Sequence, residues 1–374
     1  MKRGDNIDKK IYLIGLLVLA IFVGSACSLP VRKQNVNGKE MGEQIDNYDV
    51  EVRGLKLKYV LIDSAYEMYQ FQEEFKENIP HYLQEEDSKG HYEWLNDTYE
   101  SMSQEMKDSL AMIMTRTHPW QIMNVTSSLK DDASVEEVIK CITLSQELPY
   151  NDAEKEQLTA FFTSYYKDYL KEYLEVQAPL FEEKARRLNE QIAEHPSDIM
   201  GFMEEQSGIK FKEKSKPVFY YTLRKIGAMG FDQPSIKISL IQRDINDTSN
   251  LFGTPFHEFG HALFDTFTNK RAFKNVAKEL SKQDNDFRRE WESKYQSHYN
   301  WIGWCEENLV EGFATYLKEQ YYGYVNSGDL YTYDFAFYKY LKEINFNPGK
   351  MSLEDVSIDF YESILEAGDS QKTL

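Results

Sequence analysis

The stretch that decides the fold is Thr254-Pro255-Phe256-His257-Glu258-Phe259-Gly260-His261-Ala262-Leu263-Phe264. Its pattern predicts a helix as far as Thr268, because Thr254 suits the N-cap and a proline suits the first turn. His257 and His261 are four residues apart, so on a helix both imidazoles leave one face and can bind one metal ion. The other positions carry large apolar side chains, which predicts that the rest of the helix is buried. These side chains are Phe256, Phe259, Leu263, Phe264 and Phe267.

Glu258 lies beside the two histidines, where its carboxylate can take a proton from a water molecule and deliver it to a leaving amine. Two imidazoles and a neighbouring carboxylate base are the residue types that peptide hydrolysis with Zn²⁺ requires. We therefore expect a zinc-dependent peptidase in which His257 and His261 bind Zn²⁺ and Glu258 is the catalytic base. The expected partner is a peptide or protein substrate.

A catalytic zinc site needs a third protein ligand and keeps its fourth position open. Metzincins would supply this ligand shortly after His261, but the chain has phenylalanine at the two positions that their pattern reserves for Gly and for His or Asp. The segment 304–317 offers acidic residues on a second predicted helix instead. Glu307 and Glu311, one helical turn apart, are the candidates.

Glu311-Gly312-Phe313-Ala314 resembles the Asn-Glu-Gly-Phe-Ala segment of the gluzincin aminopeptidases, whose Glu binds zinc. Glu311 is therefore the third ligand that the resemblance implies. Thermolysin-like enzymes instead place an acidic residue four positions after a ligand Glu, which Glu307 followed by Glu311 also satisfies. The gap of 50 residues between His261 and Glu311 is similar to that in lethal-factor-like and Pro-Pro-cleaving gluzincins. The resemblance covers about residues 215–320 and implies a zincin-like catalytic domain.

A glycine-containing segment bears on the substrate. Gly227-Ala228-Met229-Gly230-Phe231 resembles the Gly-x-Met-Glu-Asn segment of gluzincin aminopeptidases, in which the Glu binds the free amino terminus of the substrate. Gly230 stands in place of that Glu, so an endopeptidase or oligopeptidase is favoured over an aminopeptidase. The other interpretation is an ordinary glycine loop between two strands. In either case the strand 236–241 is the edge that we expect to pair with an extended peptide.

Two residues before the second metal-bearing helix are candidates to stabilise the oxyanion of the transition state. They are His298 and Tyr299, because Tyr and His are suitable donors and both precede the helix that carries Glu311. Asp265, four residues after His261, either orients a ligand histidine or is an exposed surface acid.

Hydrophobic patterns predict an α+β fold that is mostly helical. Segments 218–223 and 236–241 read as short strands, and they precede the metal-bearing helix. We expect a helical region over 53–205, with one long helical stretch over 152–192 interrupted at Pro179. Residues 206–374 form the expected catalytic domain, with a small sheet and the active-site helix.

An apolar run covers residues 11–23, behind Lys9 and Lys10, and it is too short to span a bilayer comfortably. Gly24-Ser25-Ala26-Cys27 follows and resembles the cleavage box of bacterial lipoproteins. Residues 1–27 are then a signal with a lipidated Cys27, and 28–52 are a flexible tether. The protein is expected at the cell membrane on the extracytoplasmic side. An uncleaved anchor and plain secretion are the alternatives.

The net charge of −19 and the pI near 4.9 argue against nucleic acid as a partner, because little here would neutralise phosphates. Cys141 and Cys305 are expected as free thiols, with a single bridge as the alternative. Two functions other than peptidase stay open. One is a catalytically inactive zincin, and the other is a surface-binding lipoprotein.

Overall fold

The computed structural model describes residues 50–73, 89–194, 198–213, 215–225, 229–296, 299–325 and 330–372. These residues are mostly helical with a small mixed sheet of four strands, which confirms the α+β class. The expected signal, Cys27, residues 28–49 of the tether and His298 all lie outside the described residues. Within the described ranges, none of the helices has the length and apolarity that crossing a bilayer requires.

The described chain groups into two compact units. The first contains Glu51–His195 and Val218–Leu251, and the second contains Pro196–Pro217 and Phe252–Leu374. The predicted strands 218–223 and 236–241 therefore group with the N-terminal helices. The domain boundary that we expect from the sequence, between residues 205 and 206, instead assigns these strands to the catalytic domain. That division stays a prediction.

The first unit is built around a buried N-terminal helix. Its helices are α1 (Leu57–Glu73), α2 (Lys89–Ser101), α3 (Gln104–Arg116), α4 (Pro119–Thr126), α5 (Val135–Leu144), α6 (Asp152–Tyr165) and α7 (Lys171–Glu194). Helix α1 packs on α2, α3, α4 and α5. Ser134 with Glu137, and Asn151 with Glu154, form capping boxes that satisfy the first backbone N–H groups of α5 and α6.

The long helical stretch is not interrupted where the sequence predicts. Pro179 lies inside α7, and the irregularity is a π-helical turn, Tyr166–Leu170, between α6 and α7. Pro179 is exposed, so the backbone carbonyl of Glu175, which loses its helical partner, can bind water instead. The expected interruption at Pro179 is therefore wrong.

The sheet contains β1 (Glu51–Arg53), β2 (Lys216–Tyr221), β3 (Met229–Gln233) and β4 (Ile236–Ile241), in the order β1-β2-β4-β3. β1 runs parallel to β2, and β3 runs antiparallel to β4 with Gly230 opposite Ser239. The strands predicted over 218–223 and 236–241 are confirmed. β1 begins inside the segment expected as a tether, and β3 occupies part of the expected glycine loop.

The backbone of both outer strands is hydrogen-bonded by side chains of the first unit. β4 lies between β2 and β3, so the expectation that 236–241 is a sheet edge is wrong. On β1, Asn189 accepts from Val52 N at 2.9 Å and donates to Val52 O at 2.7 Å. On β3, the indole of Trp120 donates to Gly230 O at 2.9 Å. An incoming strand would have to displace these side chains.

The second unit is helical and is centred on its longest buried helix. Its helices are α8 (Ile199–Ser207), α9 (Gly253–Glu258), α10 (Gly260–Thr268), α11 (Arg271–Gln283), α12 (Asn285–Glu290), α13 (Trp301–Tyr322), α14 (Asp334–Glu343) and α15 (Leu353–Lys372). A π-helical turn, Trp291–Tyr295, continues α12. Helix α13 packs against α9, α10, α11 and α14, and its residues 303–317 are all buried. Among the described residues, the thiols of Cys141 and Cys305 are free.

A single glycine allows α14 to approach α13. A Cβ atom at Gly312 would clash with the backbone carbonyl of Asp334 and lie 3.1 Å from the side chain of Phe337. This contact explains why the segment that follows Glu311 begins with glycine.

Candidate metal centre

The candidate metal-binding motif lies on α9 and α10, which meet at Phe259. Phe259 keeps right-handed helical angles (φ −79°, ψ −20°), so His257 and His261 remain one turn apart although the helical hydrogen bonding is interrupted. Their ring centroids are 5.1 Å apart. The first helical bond joins Phe256 N to Phe252 O, so the helix begins before Thr254 and the expected N-cap at Thr254 is wrong. The five apolar side chains of this segment are buried, as expected.

Both histidines direct one ring nitrogen towards the same carboxylate. His257 Nε2 lies 3.2 Å from Glu307 Oε1, and His261 Nε2 lies 3.5 Å from Glu307 Oε2. One candidate ligand atom from each of the three residues lies within 4.8 Å of the others. Ligand atoms of a tetrahedral zinc site are about 3.4 Å apart, given bonds of about 2.1 Å. The spacing therefore suits a small cation.

The other nitrogen of each imidazole is held by a different carboxylate of α13. His257 Nδ1 donates to Glu311 Oε2 at 2.7 Å, and His261 Nδ1 donates to Glu306 Oε1 at 3.0 Å. The hydroxyl of Thr268 donates to the second oxygen of Glu306 at 2.6 Å. An acceptor on Nδ1 fixes the ring orientation and leaves the Nε2 lone pair for a metal.

The geometry favours Glu307 over Glu311 as the third ligand. Glu311, which we expect in that role from the resemblance, instead holds the outer nitrogen of His257 and accepts from Lys318 Nζ at 3.3 Å. Both residues lie on one face of α13, so their spacing alone does not tell which carboxylate meets the inner nitrogens. The alternative pattern, a ligand Glu with an acidic residue four positions later, matches the contacts.

Two buried polar atoms of the candidate ligands indicate that a cation would fit between them. Within the described residues, Glu307 Oε2 and His261 Nε2 are both buried and have no hydrogen-bond partner. Buried polar atoms are normally paired, since leaving one unpaired costs about 1–3 kcal/mol. A cation bound by both atoms would satisfy them. Its two positive charges together with that of Lys318 would balance the three carboxylates of Glu306, Glu307 and Glu311.

Without a cation, protons are held by the imidazoles. Burial alone would lower the pKa of His257, but the charges and hydrogen bonds of Glu307 and Glu311 outweigh it and raise this pKa well above its ordinary value. Burial likewise opposes a charge on His261, and Glu306 and Glu307 still raise its pKa. A metal ion would therefore have to compete with protons for these nitrogens.

The carboxyl group of Glu311 is ionised in this environment. Burial alone would raise its pKa, but the charge of Lys318 and the hydrogen bond from His257 outweigh burial and lower the pKa to about 2. Glu311 therefore remains an acceptor for the imidazole throughout the neutral range.

The remaining candidates differ in where they lie. Glu258 is the last residue of α9 and is half-buried. Tyr299 is buried, and its ring neighbours that of Trp304. Asp265 is exposed, and the outer nitrogens of both histidines are held by other carboxylates, so the orienting role considered for Asp265 is wrong.

Sequence reasoning did not identify several supporting residues. Glu306 directly precedes Glu307, and a second acid there is a weak signal for a partner of His261. Thr268 and Lys318 have no distinguishing pattern. Tyr331 lies beyond the end of α13, and its hydroxyl donates to Glu307 Oε1 at 2.9 Å. Only tertiary structure reveals these contacts.

Comparison with models of known protein families, with curated proteins and with solved structures gave no match.

Proposed function

We propose that the protein is a zinc-dependent peptidase of the gluzincin type, with Zn²⁺ bound by His257, His261 and Glu307. The observation that carries the proposal is the convergence of two Nε2 atoms on one buried carboxylate, with Glu307 Oε2 and His261 Nε2 lacking hydrogen-bond partners in the described structure. In this proposal the second unit holds the metal-binding part of a zincin-like catalytic domain.

Bound zinc supplies a Lewis acid that polarises a peptide carbonyl and makes water more acidic. Side chains of the protein orient the ligands and transfer the protons. Glu306 and Glu311 hold the outer imidazole protons, so that both inner nitrogens remain available to the metal. Glu258 accepts a proton from the attacking water and passes it to the leaving amine.

An endopeptidase or oligopeptidase is the favoured activity within this proposal. Gly230 has no side chain that could bind the amino terminus of a substrate. Tyr299 is the proposed donor to the oxyanion, and His298 is the second candidate for that role.

Metal analysis and peptide cleavage test the proposal together. Purified protein should contain about one zinc per chain, and the zinc-loaded protein should cleave members of a random peptide library, as read by mass spectrometry. Protein that takes up no zinc on reconstitution would remove the basis for the site. Stoichiometric zinc without any cleavage would favour the catalytically inactive zincin.

We also propose that the protein is exported and held at the membrane by lipid on Cys27. The support is the apolar run 11–23 followed by Gly24-Ser25-Ala26-Cys27. Labelling of cells with a radioactive fatty acid should mark the wild-type protein and not Cys27→Ser. Equal labelling of both proteins would contradict the assignment.

A further inference from the structure

Tyr331, which lies between α13 and α14 in sequence, contacts the proposed metal ligand Glu307. Its hydroxyl donates to Glu307 Oε1 at 2.9 Å, and its side chain is 3% exposed. Glu307 itself is 1% exposed. A hydrogen bond between two such buried groups is strong, and its loss removes one of the donors that stabilise the Glu307 carboxylate.

The hydroxyl of Tyr331 is the donor of this hydrogen bond. A carboxylate has no proton to give, so the direction of the hydrogen bond is settled. Oε1 of Glu307 is the occupied oxygen, and Oε2 is the one that lacks a hydrogen-bond partner in the described structure.

The backbone on both sides of Tyr331 is held by hydrogen bonds to side chains. Asp334 Oδ2 accepts from the backbone N–H groups of Leu330 and Tyr331 at 2.8 and 3.1 Å. Asn308, next to Glu307 on α13, accepts from Tyr333 N at 2.9 Å. The hydroxyl of Tyr331 is therefore held by a constrained backbone, which limits how far Glu307 can rotate.

Packing around the ring adds a further constraint. The ring of Tyr331 meets those of Trp304 and Tyr295 edge to face, at 5.2 and 5.9 Å between centroids. Its proton is already engaged by Glu307. Tyr331 is therefore poorly placed to donate to a substrate carbonyl, and a supporting role fits better than a direct one.

We infer that Tyr331 is a positioning residue of the metal centre. Its hydroxyl holds Oε1 of Glu307 so that Oε2 is presented to the metal, and it couples metal binding to the segment 330–333. This inference rests on the proposed function, because it assigns Glu307 as a ligand.

The test compares Tyr331→Phe with Tyr361→Phe. Tyr361 is an equally buried tyrosine whose hydroxyl donates to Cys305 O on the same helix at 2.6 Å, so its variant loses a hydrogen bond to α13 without touching Glu307. Zinc affinity is measured by competition with a chromophoric chelator. Tyr331→Phe should bind zinc about 10–100-fold more weakly than wild type. Tyr361→Phe should remain within about 3-fold, less than the loss expected for an orienting partner.

The outcomes separate this inference from the proposed function. If wild type binds zinc and Tyr331→Phe binds it equally well, the positioning role is wrong and the zinc site stands. Equal weakening in both variants would also overturn the role, because it indicates general destabilisation. Wild-type protein that binds no zinc would overturn both.

A second measurement keeps the hydroxyl of Tyr331, so it does not rely on a substitution that removes a buried hydrogen bond. Site-specific 3-fluorotyrosine at position 331 keeps the hydroxyl, and its ¹⁹F resonance should shift as zinc is added and saturate at one equivalent. The same label at position 361 should shift much less. A ¹⁹F resonance at position 331 that does not shift when zinc is added would overturn the inference.

Discussion

At the scale of single residues, each imidazole of the candidate centre directs its two ring nitrogens towards different carboxylates. The outer nitrogens of His257 and His261 donate to Glu311 and Glu306, and the inner ones face Glu307. The sequence was sufficient to locate the two histidines, because their four-residue spacing has meaning on any helix. It was not sufficient to choose between Glu307 and Glu311, because the choice depends on how α13 is rotated against α9 and α10.

Carboxamide variants distinguish a ligand from an orienting carboxylate. Glu307→Gln should lose zinc through dialysis, because the amide replaces the charged ligand. Glu311→Gln should retain zinc with about 10–100-fold weaker affinity, because it still accepts a hydrogen bond. Zinc content after dialysis and chelator competition measure the two effects. Zinc kept by Glu307→Gln and lost by Glu311→Gln would show that the ligand is Glu311.

Glu258→Gln should separate chemistry from metal binding. The amide cannot accept the proton of the attacking water, so peptide cleavage should fall by about 10²–10⁴-fold. Zinc content should be unchanged, because Glu258 is not one of the residues that meet the inner nitrogens. Cleavage at the wild-type rate by a zinc-loaded variant would disprove the proposed base.

At the scale of elements, periodicity predicted most of what surrounds the site. The segment 304–317 is predicted to be helical, and α13 covers Trp301–Tyr322. Strands β2 and β4 were recognised from their apolar runs. Strand β3 and the sheet order were not, because Met229–Gln233 is short and contains glycine, and neighbour relations within a sheet depend on contacts distant in sequence.

Replacing Gly312 tests the close approach of α14 to α13. Gly312→Ala should lower the free energy of unfolding by about 1–3 kcal/mol, because the new methyl group overlaps the carbonyl of Asp334. Urea denaturation measures the change. Gly90→Ala is the control, because among the described residues no atom lies within 4 Å of a Cβ there, and alanine in a helix is favourable. Equal stability of the Gly312→Ala variant and wild type would contradict the packing described.

At the scale of the whole molecule, the two histidines of the candidate metal centre link stability to pH. The pKa values of His257 and His261 are raised in the folded protein. Their protonation therefore stabilises the metal-free fold fully below the ordinary pKa of about 6.5, and this contribution is lost as pH rises through the raised values. Zinc ligation has the opposite dependence, because it requires unprotonated imidazoles.

Thermal unfolding with and without zinc should show these two trends. The Tm of metal-free protein should fall between pH 6.5 and mildly alkaline pH, because the stabilising protons of the two histidines are lost over this range. The increase in Tm caused by a fixed zinc concentration should grow over the same range, because affinity rises as protons leave. His261→Ala is the control and should respond little to zinc. A zinc-induced increase that shrinks as pH rises would contradict competition between protons and metal.

The most direct test of the zinc site is anomalous X-ray scattering from a crystal of the zinc-loaded protein, collected on both sides of the zinc absorption edge. The proposal predicts one strong peak about 2.0–2.2 Å from His257 Nε2, His261 Nε2 and an oxygen of Glu307. Glu311 should remain on the outer nitrogen of His257. No peak at these residues, or a peak coordinated by Glu311 in place of Glu307, would contradict the account.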